Sequence, residues 1–257
     1  MNSIETLSQP KAVSMAGEWF PFATADHFWM QWRHRLLVRA LKRAGDRTRH
    51  VLEIGCGHGV ARDMIEGDLG IVVDGCDLDR RALEMANPGK GRLFVYDILD
   101  QHPSMLGQYD AVFLLDVIEH IEDDTAFLIA ALQHLRPGGL IIVNVPASML
   151  FFSDYDRVAG HVRRYTPSSL AKLLGPRGVE VQAIWPWGLL MVPALLARKT
   201  LLRGAKSSDV IQKGFVPPNR IFRGLLHGMK NIETALPFPM PFGTSILAWG
   251  RVRKPAL

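Results

Sequence analysis

The chain has 257 residues, of which 48% are hydrophobic and 21% charged, and its net charge is +5. This composition excludes a disordered tail, a collagen and a small disulfide-bonded scaffold, and the length supports a core without metals or cross-links. The two cysteines, Cys56 and Cys76, cannot form a disulfide framework, and the N-terminus has no apolar stretch behind a basic start. We therefore expect a cytoplasmic protein.

The charge is distributed unevenly. Residues 50–156 carry 6 basic and 18 acidic side chains, residues 31–49 carry 7 and 1, and residues 198–230 carry 8 and 1. A nucleic-acid-binding protein would be basic across its binding domain, so this split argues against one. Two interpretations of the basic segments stay open: solvated helical faces, or a basic rim that attracts an anionic substrate or an anionic membrane surface.

In chain order, the sequence first predicts a helix that carries Phe28, Trp29 and Trp32, which either cover a ligand or pack in the core. From residue 49 apolar runs alternate with amphipathic segments. The apolar runs predict strands at 49–55, 71–77, 92–97, 110–116 and 140–146, with helices at 61–67, 80–86 and 123–135. This alternation implies a parallel sheet covered on both faces, whose ligands bind at the carboxyl ends of the strands.

After residue 146 the alternation is less regular. The predicted elements are a long connection at 147–166, a helix at 168–174, strands at 179–185 and 245–252, and a basic helix near 217–235. The apolar run 183–197 is shorter than the ~20 residues that span a bilayer, and prolines interrupt it. It is interpreted as core, as a lid over an apolar substrate, or as a segment in a membrane interface.

A glycine-rich loop follows the first of these strands. Glu53-Ile-Gly-Cys-Gly-His-Gly59 precedes a helix, and Asp77 ends the next strand. Glycines allow the backbone to approach a ligand, and a carboxylate at Asp77 can accept hydrogen bonds from ribose hydroxyls. The dinucleotide spacing G-x-G-x-x-G would need glycine at Val60, so a nucleoside ligand without a pyrophosphate is expected.

The run VLEIGCGHG resembles the first motif of class I S-adenosylmethionine-dependent methyltransferases. The resemblance continues through VDGCDLD, LFVYDIL, YDAVFLLDVIEHIEDD and LRPGGLIIVNVP, over residues 49–146. The flanking HFWMQWRHRLL and GHVRRYT are similar to a bacterial branch related to the ubiquinone-pathway O-methyltransferases.

This resemblance implies a Rossmann-like α/β fold with a seven-stranded, mostly parallel sheet, helices on both faces and an antiparallel last strand. It implies an N-terminal helical lid segment over residues 1–48 and a methyltransferase domain over 49–257. Within that domain it implies insertions on the substrate side near 147–167 and 186–240.

The resemblance also implies S-adenosylmethionine as cofactor and S-adenosylhomocysteine as product. The cofactor-binding residues that it implies are Glu53, Gly55, Cys56, Gly57, Asp77, Leu78, Asp97, Ile98 and Asp116. Asp77 would bind the ribose, Asp97 the adenine amino group with Ile98 against the ring, and Asp116 the methionine amine or the transferred methyl. For each aspartate the alternative is a helix cap or a turn.

Methyl transfer from a sulfonium is an in-line displacement, and a hydroxyl acceptor benefits from a general base such as histidine. His161 and His120 are the candidates, each with a structural hydrogen bond as the alternative. Arg163, Arg164 and Tyr165 are candidate substrate residues, since arginine binds phosphate or carboxylate. Neighbouring residues of an extended loop point in opposite directions, so we expect one arginine to bind and the other to hold the loop. The histidines and cysteines show no zinc spacing, and no metal is expected.

We therefore expect methyl transfer to a small-molecule or lipid-linked acceptor, at oxygen rather than at nitrogen or carbon. Peripheral contact with the inner face of the membrane stays open, nucleic acid is not an expected partner, and the oligomeric state is not predicted. The alternatives are a non-catalytic cofactor-binding regulator or partner subunit, an RNA methyltransferase, and a nucleotide-dependent oxidoreductase. The intact glycine loop counts against the non-catalytic regulator or partner subunit. The lack of a recognisable RNA-binding module counts against the RNA methyltransferase, and Val60 counts against the oxidoreductase.

Overall fold

The computed structural model describes residues 3–11, 19–45, 48–201, 216–217 and 219–253. Within them one sheet contains the strands β1 (Ile4–Thr6), β2 (His50–Ile54), β3 (Val72–Asp77), β4 (Leu93–Val95), β5 (Tyr109–Leu115), β6 (Leu135–Pro146), β7 (Val179–Trp187) and β8 (Ser245–Val252). Their order across the sheet is β1-β4-β3-β2-β5-β6-β8-β7. Neighbouring strands are parallel except that β8 runs antiparallel to both β6 and β7. This confirms the mostly parallel α/β fold with an antiparallel last strand.

Helices cover both faces of the sheet. They are α1 (Phe28–Ala44), α2 (Val60–Leu69), α3 (Arg80–Glu84), α4 (Asp124–Gln133), α5 (Asp154–Val158), α6 (Pro167–Leu174), α7 (Val192–Leu201) and α8 (Arg220–Ala235). Successive strand residues point to opposite faces, so Leu52 and Val112 pack with α4 and α6, whereas Val51 and Ala111 pack with α1, α2 and α8. Both faces are therefore buried, as the continuous apolar runs indicate.

Residues 4–6 form a strand, whereas the family resemblance implies a helical segment over residues 1–48. Ile4 pairs with Leu93 and Thr6 with Val95, which makes β1 the parallel edge strand beside β4. Three residues are too few to show a strand periodicity, so this eighth strand was not predicted. Pairing with β1 satisfies the backbone groups that β4 would otherwise present as a free edge.

The connection at 147–166 contains more regular structure than predicted. A 3-10 turn covers Met149–Phe151, and α5 follows it. Ser153 and Asp156 form a capping box at the start of α5, because each side chain bonds the backbone of the other residue. This short helix brings acidic and aromatic side chains to the carboxyl end of the sheet.

The basic face of α1 holds the end of α8 in place. Arg39 donates to the carbonyl oxygen of Leu236 at 2.6 Å, and Arg43 donates to that of Pro237 at 2.8 Å. Cations suit the C-terminal end of a helix, where carbonyl groups lack partners within the helix. Part of the positive charge of residues 31–49 therefore has a structural role rather than forming a solvated face.

The apolar run 183–197 is divided between three elements. It contributes the end of β7, a 3-10 turn at Leu189–Met191 and the first part of α7. In the described part of the chain no helix has the length and apolarity needed to cross a bilayer. The basic stretch predicted at 198–230 lies partly outside the described residues, at 202–215 and 218.

Candidate active site

A cavity of about 400 Å³ lies at the carboxyl ends of the parallel strands. All the residues that the resemblance assigns to the cofactor line it, and so do His120 and His161. The parallel strands β2, β3, β4 and β5 end at the same edge of the sheet, which is why residues far apart in sequence meet there. A volume of this size suits one small ligand.

The glycine loop exposes backbone to this cavity. Gly55 and Gly57 have φ angles of 70° and 54°, in the region that favours glycine, and a Cβ on Gly55 would stand 2.7 Å from a methyl carbon of Val117. The Gly57 N–H donates to Asp77 Oδ2 at 2.8 Å, and the Asp79 N–H donates to Asp77 Oδ1 at 2.9 Å. Burial raises the pKa of Asp77. Asp77 thus holds the loop against the end of β3 while its carboxyl group lines the cavity.

Asp97 caps a turn and also lines the cavity. Its Oδ1 accepts a hydrogen bond from the Leu99 N–H at 3.1 Å and caps a 3-10 turn, while its Oδ2 pairs with Lys11 Nζ at 2.7 Å. The residue also lines the cavity together with Ile98. The cap fixes the position of the carboxylate at one end of the cavity.

A partly buried ion pair lies at the end of β5, on the side of the glycine loop away from Asp77. Arg33 Nη1 is 2.7 Å from Asp116 Oδ2, and the Asn144 side-chain amide donates to Asp116 Oδ1 at 2.9 Å. Burial raises the pKa of Asp116, although the positive charge of Arg33 acts to lower it. Sequence reasoning missed Arg33, although its position offers a signal. Arg33 lies three and four residues before Leu36 and Leu37, on the apolar face of α1.

His161 lines the cavity and pairs with Asp156, which is fully buried. His161 Nδ1 is 2.9 Å from Asp156 Oδ1, and Arg164 Nε donates to the same oxygen at 2.7 Å. Ser153 donates from both its backbone N–H and its hydroxyl to the other oxygen, Asp156 Oδ2. Although burial alone would raise the pKa of Asp156, the hydrogen bond from His161 and the charge of Arg164 hold that pKa well below its ordinary value. The result is a carboxylate that stays ionised and orients His161.

His120 and Glu119 lie beside His161. The rings of His120 and His161 are 4.7 Å apart and nearly perpendicular, and burial together with the neighbouring charge of His161 lowers the pKa of His120 to about 4. Glu119 is fully buried, and neither of its carboxyl oxygens has a hydrogen-bond partner among the described residues. Burial, reinforced by the Asp116 carboxylate, raises the pKa of Glu119 well above its ordinary value.

These three side chains are also of types that bind metal ions. Glu119, His120 and His161 each place one potential ligand atom within 4.8 Å of the others. The sequence spacing predicts no metal site, because His161 joins the other two residues only through the tertiary fold. The group could therefore hold a cation, which the spacing alone does not indicate.

Of residues 163–165, only Arg164 lines the cavity. Arg164 lines the cavity, whereas Arg163 pairs with Asp124 at 2.6 Å and donates to the carbonyl oxygen of Glu122. The Tyr165 hydroxyl also donates to Asp124, at 2.8 Å. Successive residues of an extended segment point in opposite directions, so Arg163 and Tyr165 share one side and both contact Asp124 at the start of α4. They hold the loop in place and lie outside the cavity lining.

Comparison with known proteins decides the family. A family model described as a methyltransferase domain matches residues 23–184. A protein of Mycolicibacterium smegmatis, named as a probable S-adenosylmethionine-dependent methyltransferase, is 30% identical over 67% of this chain and 68% of its own length. The chain belongs to the class I S-adenosylmethionine-dependent methyltransferases. It is therefore an enzyme of methyl transfer, and S-adenosylmethionine is its cofactor.

Other proteins that this methyltransferase resembles are also named as methyltransferases. A ubiquinone biosynthesis O-methyltransferase of Thiobacillus denitrificans is 25% identical over 68% of this chain and 72% of its own length. Phosphoethanolamine N-methyltransferase 2 of Haemonchus contortus, solved with phosphomonomethylethanolamine and S-adenosylhomocysteine, has a TM-score of 0.53 at 18% identity. That similarity covers 88% of this chain and 53% of that one and concerns the fold alone.

The residues that line the cavity suit S-adenosylmethionine, independently of the comparison with known proteins. The absence of a Cβ at Gly55 lets the loop backbone pass close to Val117 in the cavity wall, and the Asp77 carboxyl group stands at the end of β3 where a ribose can reach it. The Arg33–Asp116 pair offers a cation and an anion side by side. A zwitterionic amino acid, such as the methionine part of the cofactor, needs both charges.

Replacing Glu53 by glutamine should make the stability of the cofactor-free methyltransferase depend less on pH. Glu53 is buried, and burial raises its pKa to about 7, whereas an unfolded glutamate has a pKa of about 4.3. The folded state therefore binds the proton more tightly. The stability that Glu53 contributes is complete below pH ~4 and is lost as the pH rises through about 7. The loss is on the order of 4 kcal/mol.

Thermal unfolding of the two proteins at pH 5 and at pH 8 measures this effect. We expect the decrease in Tm between the two conditions to be smaller in Glu53→Gln than in the wild type. The same decrease in both proteins would show that Glu53 is ionised in the folded state at both pH values.

Proposed function

We propose that this methyltransferase methylates a hydroxyl oxygen of a small-molecule or lipid-linked acceptor, with His161 as the general base. The pairing of His161 Nδ1 with Asp156 Oδ1 at 2.9 Å, in the wall of the cavity, carries this proposal. A hydroxyl group is a weak nucleophile and gains from a base, whereas thiols and many amines react without one. Relatives that are named as O-methyltransferases support the same choice of atom.

Asp156 would determine which nitrogen of His161 takes the proton. An ionised carboxylate next to Nδ1 favours the tautomer that carries the hydrogen there, and Nε2 is then the proton acceptor. Arg164 and Ser153 hold both oxygens of Asp156, so the imidazole has a fixed orientation. Burial lowers the pKa of His120 to about 4, which makes it a weak base near neutral pH. The carboxylate that orients His161 supports His161 as the base.

On the cofactor side, three groups of residues would divide the binding. Asp77 would accept from the ribose hydroxyls, Asp97 and Ile98 would meet the adenine, and Arg33 and Asp116 would meet the carboxylate and ammonium of the methionine part. When bound, S-adenosylmethionine supplies a methyl group that the positive sulfur has already activated. The protein then contributes position and exclusion of water.

The wall around His161 supports an acceptor with an apolar body. Met191 and Leu195 line this side of the cavity, and the Arg198 guanidinium lies 4.0 Å from the ring centre of Tyr155 in the same wall. An acceptor that combines an apolar part with a polar or anionic group matches this lining. Quinone-like phenols and lipid-linked alcohols both belong to this class.

Paired acceptors test the choice of atom. The purified protein is incubated with methyl-labelled S-adenosylmethionine and with acceptors that share one aromatic skeleton and carry either a hydroxyl or an amino group. We expect labelled methyl ethers, which carbon NMR identifies by the chemical shift of the methoxy group. A product that carries the label only on nitrogen or carbon would overturn the proposal.

A further inference from the structure

The charged residues of helix α7 face the protein and its apolar residues face outward, which is the reverse of an ordinary surface helix. Arg198 lines the cavity, and Lys199 turns to the protein and donates to the carbonyl oxygen of Leu150 at 2.7 Å. The exposed side of the helix carries no charge and consists of Pro193, Leu196, Ala197, Thr200 and Leu201. A surface helix of a soluble domain normally presents charged residues to water and apolar ones to the core.

Helix α8 carries a second exposed apolar stripe. Ile221, Leu225 and Ile232 fall on one side of this helix, and they are 86%, 51% and 62% exposed. Its packing side is separate, because Leu226 is buried in the core. The exposed stripe is therefore additional to the apolar face that the fold requires.

Both helices lie at the same end of the molecule. Each packs against the 3-10 turn at Leu189–Met191, and the turn itself follows β7. The turn at Met149–Phe151 contacts α7 and adds Leu150, which is 79% exposed. The exposed apolar groups thus lie on elements that pack around the turn whose Met191 lines the cavity.

The chain around these apolar groups is basic. Residues 198–230 contain 8 basic and 1 acidic side chains, although 202–215 and 218 are outside the described residues. In the described part, Arg220 and Arg223 are exposed at the start of α8. Apolar side chains within a basic segment are the pattern of helices that lie in the interface of an anionic bilayer.

We propose that the exposed sides of α7 and α8 dock this enzyme on an anionic lipid bilayer. The apolar side chains enter the boundary between headgroups and acyl chains, and the exposed Arg220 and Arg223 meet the anionic headgroups. A lipid-linked acceptor then reaches His161 along α7, whose inner side is the cavity wall. The path of the acceptor rests on the proposed function, whereas the docking itself does not.

Flotation with lipid vesicles tests the docking. The full-length protein is mixed with vesicles of phosphatidylcholine alone or of phosphatidylcholine with phosphatidylglycerol. We expect flotation with the anionic vesicles only, and less of it at high salt. In the double variant Leu196→Ser/Leu201→Ser, the fraction that floats should fall about tenfold, because two apolar side chains leave the interface.

A matched variant controls for the loss of any exposed apolar residue. Ile129 lies on α4 and is 43% exposed, so Ile129→Ser should float like the wild type. The affinity for S-adenosylhomocysteine, measured by calorimetry, should stay at the wild-type value in all variants and reports that they fold. If the double variant loses this affinity, Leu150→Ser takes its place in the comparison.

Three results would overturn the docking proposal. They are no flotation of the wild type with anionic vesicles, unchanged flotation of the Leu196→Ser/Leu201→Ser variant, and an equal loss in Ile129→Ser. A wild-type dimer that this double variant converts to monomers would instead identify the surface as an interface between two copies. Flotation without O-methylation would contradict the proposed function alone, and O-methylation without flotation would contradict the docking alone.

Discussion

Replacing His161 by alanine should lower kcat for a hydroxyl acceptor by about 10²–10⁴-fold, the range that general-base catalysis contributes. The affinity for S-adenosylmethionine should stay close to that of the wild type, because the cofactor side of the cavity is formed by other residues. Asp156→Asn should give a smaller loss of kcat, since asparagine can still accept a hydrogen bond from Nδ1 but carries no charge. Turnover with the hydroxyl acceptor and calorimetry with the cofactor measure the two quantities separately.

A thiol acceptor of the same skeleton provides the control for His161. A thiol has a pKa of about 8.5 and ionises without help near neutral pH, so His161→Ala should methylate it at close to the wild-type rate. Added imidazole should restore part of the lost activity toward the hydroxyl acceptor. An equal loss with the thiol and the hydroxyl acceptor, or a large loss of cofactor affinity, would assign His161 a structural function instead.

Replacing Asp77 by alanine should weaken the binding of S-adenosylmethionine and S-adenosylhomocysteine about 100-fold, which corresponds to about 2.7 kcal/mol. Two effects add up in this variant. The Gly57 N–H loses its partner at 2.8 Å, so the glycine loop is held less firmly, and the ribose loses a charged acceptor. Hydrogen bonds to charged groups contribute about 1.5–3 kcal/mol each, which is the basis of this magnitude.

Asp79→Ala is the matched control for Asp77. Asp79 caps α3 by accepting a hydrogen bond from the Arg81 N–H at 2.9 Å. Its loss should cost about 1 kcal/mol of stability and leave cofactor affinity nearly unchanged. Calorimetric titration with both ligands, and with NAD as a ligand that should not bind, measures the difference. Wild-type affinity in Asp77→Ala would contradict the ribose assignment.

The strand and helix alternation of residues 49–146 could be read from the sequence because each element has a local signature. Continuous apolar runs such as 110–116 predict strands buried on both faces, and the fold confirms them. The position of the cavity follows from the same pattern, because the parallel strands end at one edge. The glycine loop and Asp77 could be located in the same way, since the spacing is local and the glycines there adopt positive φ angles.

The family resemblance supplied what periodicity could not. The antiparallel direction of β8 depends on how the chain returns to the sheet after α8, and no pattern within 245–252 encodes it. The same holds for the cofactor, whose identity rests on several motifs in a fixed order. Each motif by itself also fits a helix cap or a turn, as Asp97 illustrates by serving as a cap and lining the cavity at once.

Only the tertiary structure decides which residues far apart in the sequence come into contact. Arg33 reaches Asp116 because α1 packs over the end of β5, and β1 exists only because β4 offers a free edge. Asp156 was not singled out in the sequence, yet it holds both His161 and Arg164. The physical reason is common to these cases. The sequence determines local conformation and which side chains are apolar, whereas the partner of a buried charge depends on which elements pack together, and desolvation then requires that partner to be close.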